Sequence, residues 1–297
     1  MTLALDVVVR TLADSRRSSS LFRALDSIQS QEGIHARPIV VVNGQGYSLE
    51  VIGALERRAG VLVHFIPQAS AGHARIAGHR LATAEFLSFL DDDDTFIEGA
   101  LRDPLSWLAA HAQCDVVITN GCFVRADGQM VESTHFREHL DNPTLSLLDE
   151  NWLSPGASIF RTRSVSPGIV EACWEHQEWT RLAFELCAMG KRLHFMDVPT
   201  VRYHDTPGSL SKKPRQQYAQ LELLKFVRSD LRLDKQVRKK AERKYRNVLH
   251  VLAMKSWQEG RFVSAWRYHI ASMRPPHTLK YLLSSRKLLW PVSKKVV

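Results

Sequence analysis

The stretch Phe86-Leu87-Ser88-Phe89-Leu90-Asp91-Asp92-Asp93-Asp94 decides the fold. Its first five residues are a short, aromatic-rich run almost free of polar atoms, the pattern of a buried strand. The four carboxylates that end it then fall at the strand's carboxyl edge, where open α/β sheets place their ligand crevice. In extended chain, residues two apart share a face, so Asp91 and Asp93 point together and Asp92 and Asp94 oppose them. Two carboxylates about 6 Å apart repel by roughly 3 kcal/mol at an effective dielectric near 20. A cation offsets that cost. A hard divalent ion carrying a phosphorylated substrate suits it, because Mg²⁺-like ions take one or two carboxylates plus phosphate oxygens.

Other readings of the acids compete. A solvated turn would use Asp94 or Thr95 to cap a helix starting near Glu98. The apolar strand in front disfavours it. An EF-hand loop counted from Asp91 needs glycine sixth and glutamate twelfth, and the chain has Phe96 and Arg102 there. A haloacid-dehalogenase-like phosphatase carries its D-x-D on the first strand with glycine fourth. Here the motif comes later in the chain and the fourth residue is Asp94.

The segments before the acids alternate in character. Leu3–Val9, Arg37–Val42 and Val61–Ile66 read as strands, and Ser18–Gln31, Leu49–Arg58 and Gly72–Ala84 carry helical spacing. This β-α-β-α-β-α-β order predicts an α/β fold with a mostly parallel sheet covered on both faces. Its binding edge gathers Thr11, Asn43 and Asp91. Beyond lie a helix over Leu101–His111, strands over Asp115–Thr119 and Cys122–Arg125, and a polar stretch Glu132–Asn151 that suits a substrate loop. A strand over Gly156–Arg161, a helix over Glu175–Met189 and short strands over Leu193–Met196 and Thr200–Tyr203 follow.

Charge divides the chain. The 297 residues carry a net +9, but Lys212–Val297 holds 22 Lys+Arg against 5 Asp+Glu, a net of +17, and 1–211 holds 18 against 26, a net of −8. Two segments with different partners are expected, with the boundary at 211/212. The basic segment reads as helices over Gln217–Val227, Lys235–Glu259, Phe262–Met273 and Thr278–Leu289. It suits either an annex packed on the body or, through 275–297, a surface that lies on an anionic membrane. The segment has no recognisable nucleic-acid motif, which argues against that partner. Cys114, Cys122, Cys173 and Cys187 show neither metal spacing nor a disulfide framework, and no apolar window is long enough to span a membrane. A cytoplasmic protein, able to sit peripherally on the cytoplasmic face of the membrane, is expected.

Six motifs in order resemble glycosyltransferase family 2, the inverting enzymes of the GT-A fold: Ala24–Gln31, Ile39–Gly44, Ala71–Asp94, Ser154–Arg161, Gln177–Trp179 and Arg202–Ser211. The resemblance covers roughly residues 4–211. It implies a GT-A catalytic region, followed by the basic helical one, that moves a sugar from a nucleotide-sugar donor to a glycan or lipid-linked glycan acceptor. By that resemblance Thr11, Leu12, Asn43, Arg75, Asp91 and Asp92 contact the donor. Asp93, with Asp94 and His204, would hold Mn²⁺ or Mg²⁺ on the diphosphate. Glu178, in Gln177-Glu178-Trp179, stands where the family keeps its general base, with Glu175 as a nearby competitor. Trp152, Gly156, Ala157 and Gln177 would face the acceptor, and Ser209 and Ser211 lie on a loop that could close over the donor.

The sequence also departs from the pattern. The acid that usually ends the second strand is replaced by Val42, and the asparagine of the usual A-R-N-x-G stretch by Ile76. These losses leave the nucleotide open, and give footing to a rival reading, a non-catalytic module of the same fold attached through its basic tail. A sugar-phosphate nucleotidyltransferase would want a glycine-rich basic loop after the first strand; Ala13-Asp14-Ser15-Arg16-Arg17 has charge but no glycine.

Overall fold

Strand β1 (Leu3–Thr11) is central to the sheet because Leu5, Val7, Val8 and Val9 make it apolar on both faces, as helix-covered parallel strands must be. The computed structural model describes residues 2–124, 128, 130–132, 136, 141–171, 177–204, 216–273, 281, 282 and 285. They fall in two compact units, Met1–Leu210 and Ser211–Val297.

In the first unit β1 is followed by α1 (Ser18–Gln29), β2 (Ile34–Asn43), α2 (Leu49–Glu56), β3 (Leu62–Ile66), α3 (Ala71–Leu81) and β4 (Phe86–Asp91). Helix α1 buries Leu21, Leu25 and Ile28 against the sheet, each side chain contributing about 1.5–3 kcal/mol. Next come β5 (Thr95–Phe96), α4 (Arg102–Ala110), β6 (Val116–Val124), β7 (Met130–Glu132), α5 (Pro143–Ser146), β8 (Ser158–Arg161), α6 (Pro167–Glu171), α7 (Glu178–Ala188) and β9 (Leu193–His204).

Among the described residues these strands form one sheet in the order β3-β2-β1-β4-β8-β6-β9-β5, with β7 on β6. The pairs β2–β3, β1–β2 and β1–β4 are parallel, as the alternating segments predict. Beyond β4 the sheet is mixed. Strand β8 runs antiparallel to both neighbours, while β6 and β9 are parallel. Parallel pairing puts Thr11, Asn43 and Asp91 on one edge, since Thr11 stands opposite Val42 and Arg10 opposite Asp91.

Two pairs of expected strands are each one strand. Asp115–Thr119 and Cys122–Arg125 merge in β6, and Leu193–Met196 and Thr200–Tyr203 merge in β9. The breaks in pattern at Asn120-Gly121 and Pro199 are register irregularities between these two strands, where a proline costs no ladder hydrogen bond. Gly121 is there because a Cβ would lie 2.4 Å from Cε2 of Tyr203. Strand β5, two residues long, left no readable pattern; it pairs with Val201 and Arg202.

Two buried contacts fix the height and register of the elements under the site. Gly78 lets α3 settle onto the sheet: a Cβ there would meet Cγ1 of Val8 at 2.4 Å and Cγ2 of Val41 at 3.2 Å. Asp6, almost fully buried, takes both Nε and Nη2 of Arg37 at 2.8 and 2.9 Å and the backbone N–H groups of Thr83 and Ala84 at 2.7 and 2.9 Å. Its lone pairs are satisfied, so the buried charge is tolerated, and the chain entering β4 is held in place.

The second unit holds α8 (Gln216–Ser229), α9 (Lys235–Gln258) and α10 (Phe262–Ser272). Val237, Ala241, Leu249, Leu252 and Ala265 are buried in it, and Glu242 of α9 receives Arg228 of α8 at 2.7 Å and its own helix neighbour Arg246. The helix expected over Thr278–Leu289 lies mostly outside the described residues, as do Cys173, Glu175, Ser209 and Ser211; Cys114, Cys122 and Cys187 are not in disulfides. Among the described residues no helix is long and apolar enough to cross a membrane.

Candidate active site

The acids leave β4 in a turn closed by the Asp94 N–H on the Asp91 carbonyl, 3.1 Å. Their partners differ, except that Asp92 and Asp93 share one guanidinium. Asp91 accepts Nε of Arg10, its register neighbour on β1, at 3.0 Å. Asp92 accepts the Thr11 hydroxyl at 2.6 Å and Nη2 of Arg17 at 2.8 Å, and the same Nη2 lies 2.8 Å from Asp93. Asp94 accepts the backbone N–H of His204 at 3.0 Å, and Nε2 of His204 lies 3.2 Å from the Thr95 hydroxyl. The short strand β5 is what brings the end of β9 to the acids.

A second cluster adjoins them. Glu178 is the first residue of α7, where the helix dipole favours an anion. Its Oε1 accepts Nη1 of Arg75 at 2.8 Å, and the Arg75 guanidinium lies 5.1 Å over the ring of Trp179. Arg75 and Glu178 both line a cavity of about 140 Å³ with Ser70, His73, Phe89 and Trp179. The two clusters share one field: Asp91, Asp92 and Glu178 all raise Arg10, with Asp91 the strongest. Burial pushes the Asp91 carboxyl up, but Arg10, Arg75 and Arg17 outweigh it and hold the group below the ordinary aspartate range.

The other acids behave differently. Burial, opposed by Arg17 and the Thr11 hydroxyl, pushes Asp92 up to about 6. Burial and the charge of Asp91 push Asp94 up to about 8. A carboxyl whose folded pKa is raised holds its proton more tightly folded than unfolded. Its stabilisation is therefore full below the ordinary value and disappears as pH rises through the raised one. Without divalent cations the protein should lose stability between about pH 4 and 8 through these two groups. Asp94→Asn keeps the acceptor for His204 and removes the titration. We expect it to be more stable than wild type at pH 8.5, by on the order of 5 kcal/mol, and about equal at pH 4. Urea denaturation in EDTA measures this, and a wild-type stability that is flat between pH 4 and 8.5 would refute it.

The site fits a divalent ion in a limited way. Among the described residues no group of three or more His, Cys, Asp or Glu side chains is arranged to hold a metal alone. Asp93, 17% exposed in its side chain and beside Asp94 and His204, offers hard oxygen donors to an ion that completes its shell with phosphate oxygens. Burial, then Arg23 and Arg202, lower His204 against the pull of Asp93, favouring the neutral imidazole that can ligate.

Several residues singled out in the sequence lie elsewhere than their expected roles require. Trp152 is not an open platform: it is 1% exposed, its indole N–H is donated to the Pro143 carbonyl at 3.0 Å, and Phe195 packs edge-on against its ring. Ala157 is buried in the core. Gly156 acts through its backbone, at φ +74, where a Cβ would lie 2.6 Å from Cγ2 of Val201. Thr11 and Asn43 end their strands on the binding edge, buried, with the exposed Leu12 just past β1, and Gln177 precedes α7. The pattern missed Arg10 and Arg17 as partners of the acids. Arg10 was findable, since a parallel β1–β4 pair must place it next to Asp91.

No family model matches the chain, and no curated protein matches its sequence. Solved structures do match. S. aureus TarS 1–349 in complex with UDP-GlcNAc shares 15% identity over 92% of this chain and 81% of that one, with a TM-score of 0.63. The same protein in complex with UDP shares 15% over 96% and 88%, at 0.60, and a longer TarS structure shares 17% over 84% and 43%, at 0.55. At such identity the likeness is one of backbone. The chain has the α/β fold of S. aureus TarS, the GT-A architecture that the motif order predicts.

Proposed function

We propose that this chain is an inverting, divalent-metal-dependent glycosyltransferase acting on a nucleoside-diphosphate sugar and a glycan or lipid-linked glycan hydroxyl. The observation that carries this is the meeting of Asp91–Asp94 with the Arg75–Glu178 pair on the edge where β1, β2 and β4 end. Asp91, Asp92, Thr11, Leu12, Asn43 and Arg75 face the donor. Asp93, with Asp94 and His204, would hold Mn²⁺ or Mg²⁺. The ion, when bound, supplies Lewis-acid stabilisation of charge on the departing diphosphate.

Glu178 takes the proton of the acceptor hydroxyl as its oxygen bonds to the anomeric carbon. The bond from that carbon to the diphosphate oxygen breaks, and the nucleoside diphosphate leaves with the electron pair. Arg75 holds the carboxylate in one orientation through a hydrogen bond and its cation–π contact. TarS was crystallised with UDP-GlcNAc and with UDP, so UDP-sugars are the first donors to test. Incubation with UDP-, GDP-, TDP- and CDP-sugars and Mn²⁺, with and without a glycan acceptor, should release nucleoside diphosphate from one donor class. No release from any donor, together with no binding of any nucleotide, would leave the non-catalytic reading standing.

A further inference from the structure

Arg17 is the most exposed of the three arginines that pair with the site's carboxylates, 39% against 23% for Arg10 and 6% for Arg75. Its side chain is 39% exposed, against 6% for that of Asp92 and 17% for that of Asp93, the two carboxylates it bridges through one nitrogen, Nη2, at 2.8 Å each. It ends a short turn, Ser15–Arg17, held at the start by Asp14, whose Oδ1 accepts the Arg17 N–H at 3.0 Å. Arg10 and Arg75 are different. Each makes a direct ion pair with one carboxylate from within a regular element, Arg10 from β1 and Arg75 from α3, and the Arg75 side chain is 6% exposed. Of the three guanidiniums, Arg17 alone spans two carboxylates, and it alone sits on a surface turn.

A single positive group lying between two carboxylate oxygens does electrostatically what a divalent ion would do there. It also competes with that ion for Asp93. A guanidinium is a better match for a diphosphate than for two carboxylates from separate residues, because its fork meets phosphate oxygens in pairs. We infer that Arg17 is a built-in counter-ion that holds Asp92 and Asp93 before the donor arrives, yields Asp93 to the divalent ion, and moves onto the donor diphosphate. This rests on the donor and metal reading proposed above. Its consequence is coupling: the acids bind free metal poorly, and the ion enters together with the diphosphate that draws Arg17 away.

The test uses the full chain as wild type, Arg17→Gln and Arg17→Lys. Free Mn²⁺ is followed by electron paramagnetic resonance, with and without whichever of UDP, GDP, TDP and CDP gives the largest thermal shift. Arg17→Gln should bind Mn²⁺ alone on the order of tenfold more tightly and the nucleotide on the order of tenfold more weakly. The gain in Mn²⁺ affinity on adding nucleotide should shrink by a similar factor. Arg17→Lys, which keeps the charge but loses the fork, should keep the weak binding of Mn²⁺ alone and lose nucleotide affinity. If Arg17→Gln binds Mn²⁺ alone no better than wild type while nucleotide still binds, the counter-ion role is wrong and the donor site stands. If neither protein binds any nucleotide, the donor reading fails and takes this inference with it.

Discussion

Glu178→Gln is expected to lower sugar transfer about a thousandfold while leaving donor affinity within about twofold, because a positioned general base contributes on the order of 10²–10⁴ in rate. Glutamine is the informative replacement. Its side-chain oxygen still accepts Nη1 of Arg75, so the guanidinium over Trp179 keeps its partner. Glu178→Ala would instead strand a cation whose side chain is only 6% exposed, and a buried charge left without its partner costs about 3–5 kcal/mol. A loss of activity in the alanine variant would therefore mix chemistry with folding. Steady-state transfer and equilibrium binding of the donor, measured on the glutamine variant, separate the two. Transfer within tenfold of wild type would remove Glu178 from the chemistry.

Asp93→Asn should produce the second large effect. The amide keeps the shape of the side chain but withdraws the charge that would hold a divalent ion on the diphosphate. Turnover should fall by at least about a hundredfold, since stabilisation of charge on a leaving group is worth several kcal/mol when a metal supplies it. The residual activity should also stop responding to Mn²⁺ concentration. Folding should be little changed, because Arg17 retains Asp92. Nucleoside diphosphate release, titrated with Mn²⁺ from zero to saturation, reads both effects. A variant whose activity still rises with Mn²⁺ along the wild-type curve would place the ion on other residues.

The parallel half of the sheet was legible because its strands are apolar on both faces and its helices carry clean spacing. Phe86–Leu90, short, aromatic and almost free of polar atoms, separated a strand ending at a crevice from the competing readings of the four acids. The mixed half was harder. Asn120-Gly121 and Pro199 look like strand ends, and only the pairing of β6 with β9 shows that each is an irregularity inside a longer strand. At the site, the acids were legible from the strand before them, whereas Arg75 and Glu178 came from the family resemblance; the structure pairs Arg75 with Glu178, and the charge of Arg75 reaches Asp91. What sequence order conceals is partnership across distance. The contact from Arg17 to Asp92 and Asp93 is set by where the β1–α1 turn lies over the end of β4. Trp152 misled for a related reason: an aromatic near a functional motif has the same composition whether its face is open or packed, and burial alone decides.

The missing side chain at position 78 acts as a seat. One turn earlier on the same helix stands Arg75, so any spacer at 78 would jack α3 away from Val8 and Val41 and carry the guanidinium off with it. An alanine at 78, which touches none of the site's carboxylates, would thus unseat Arg75 from Glu178 by tilting the helix that carries it.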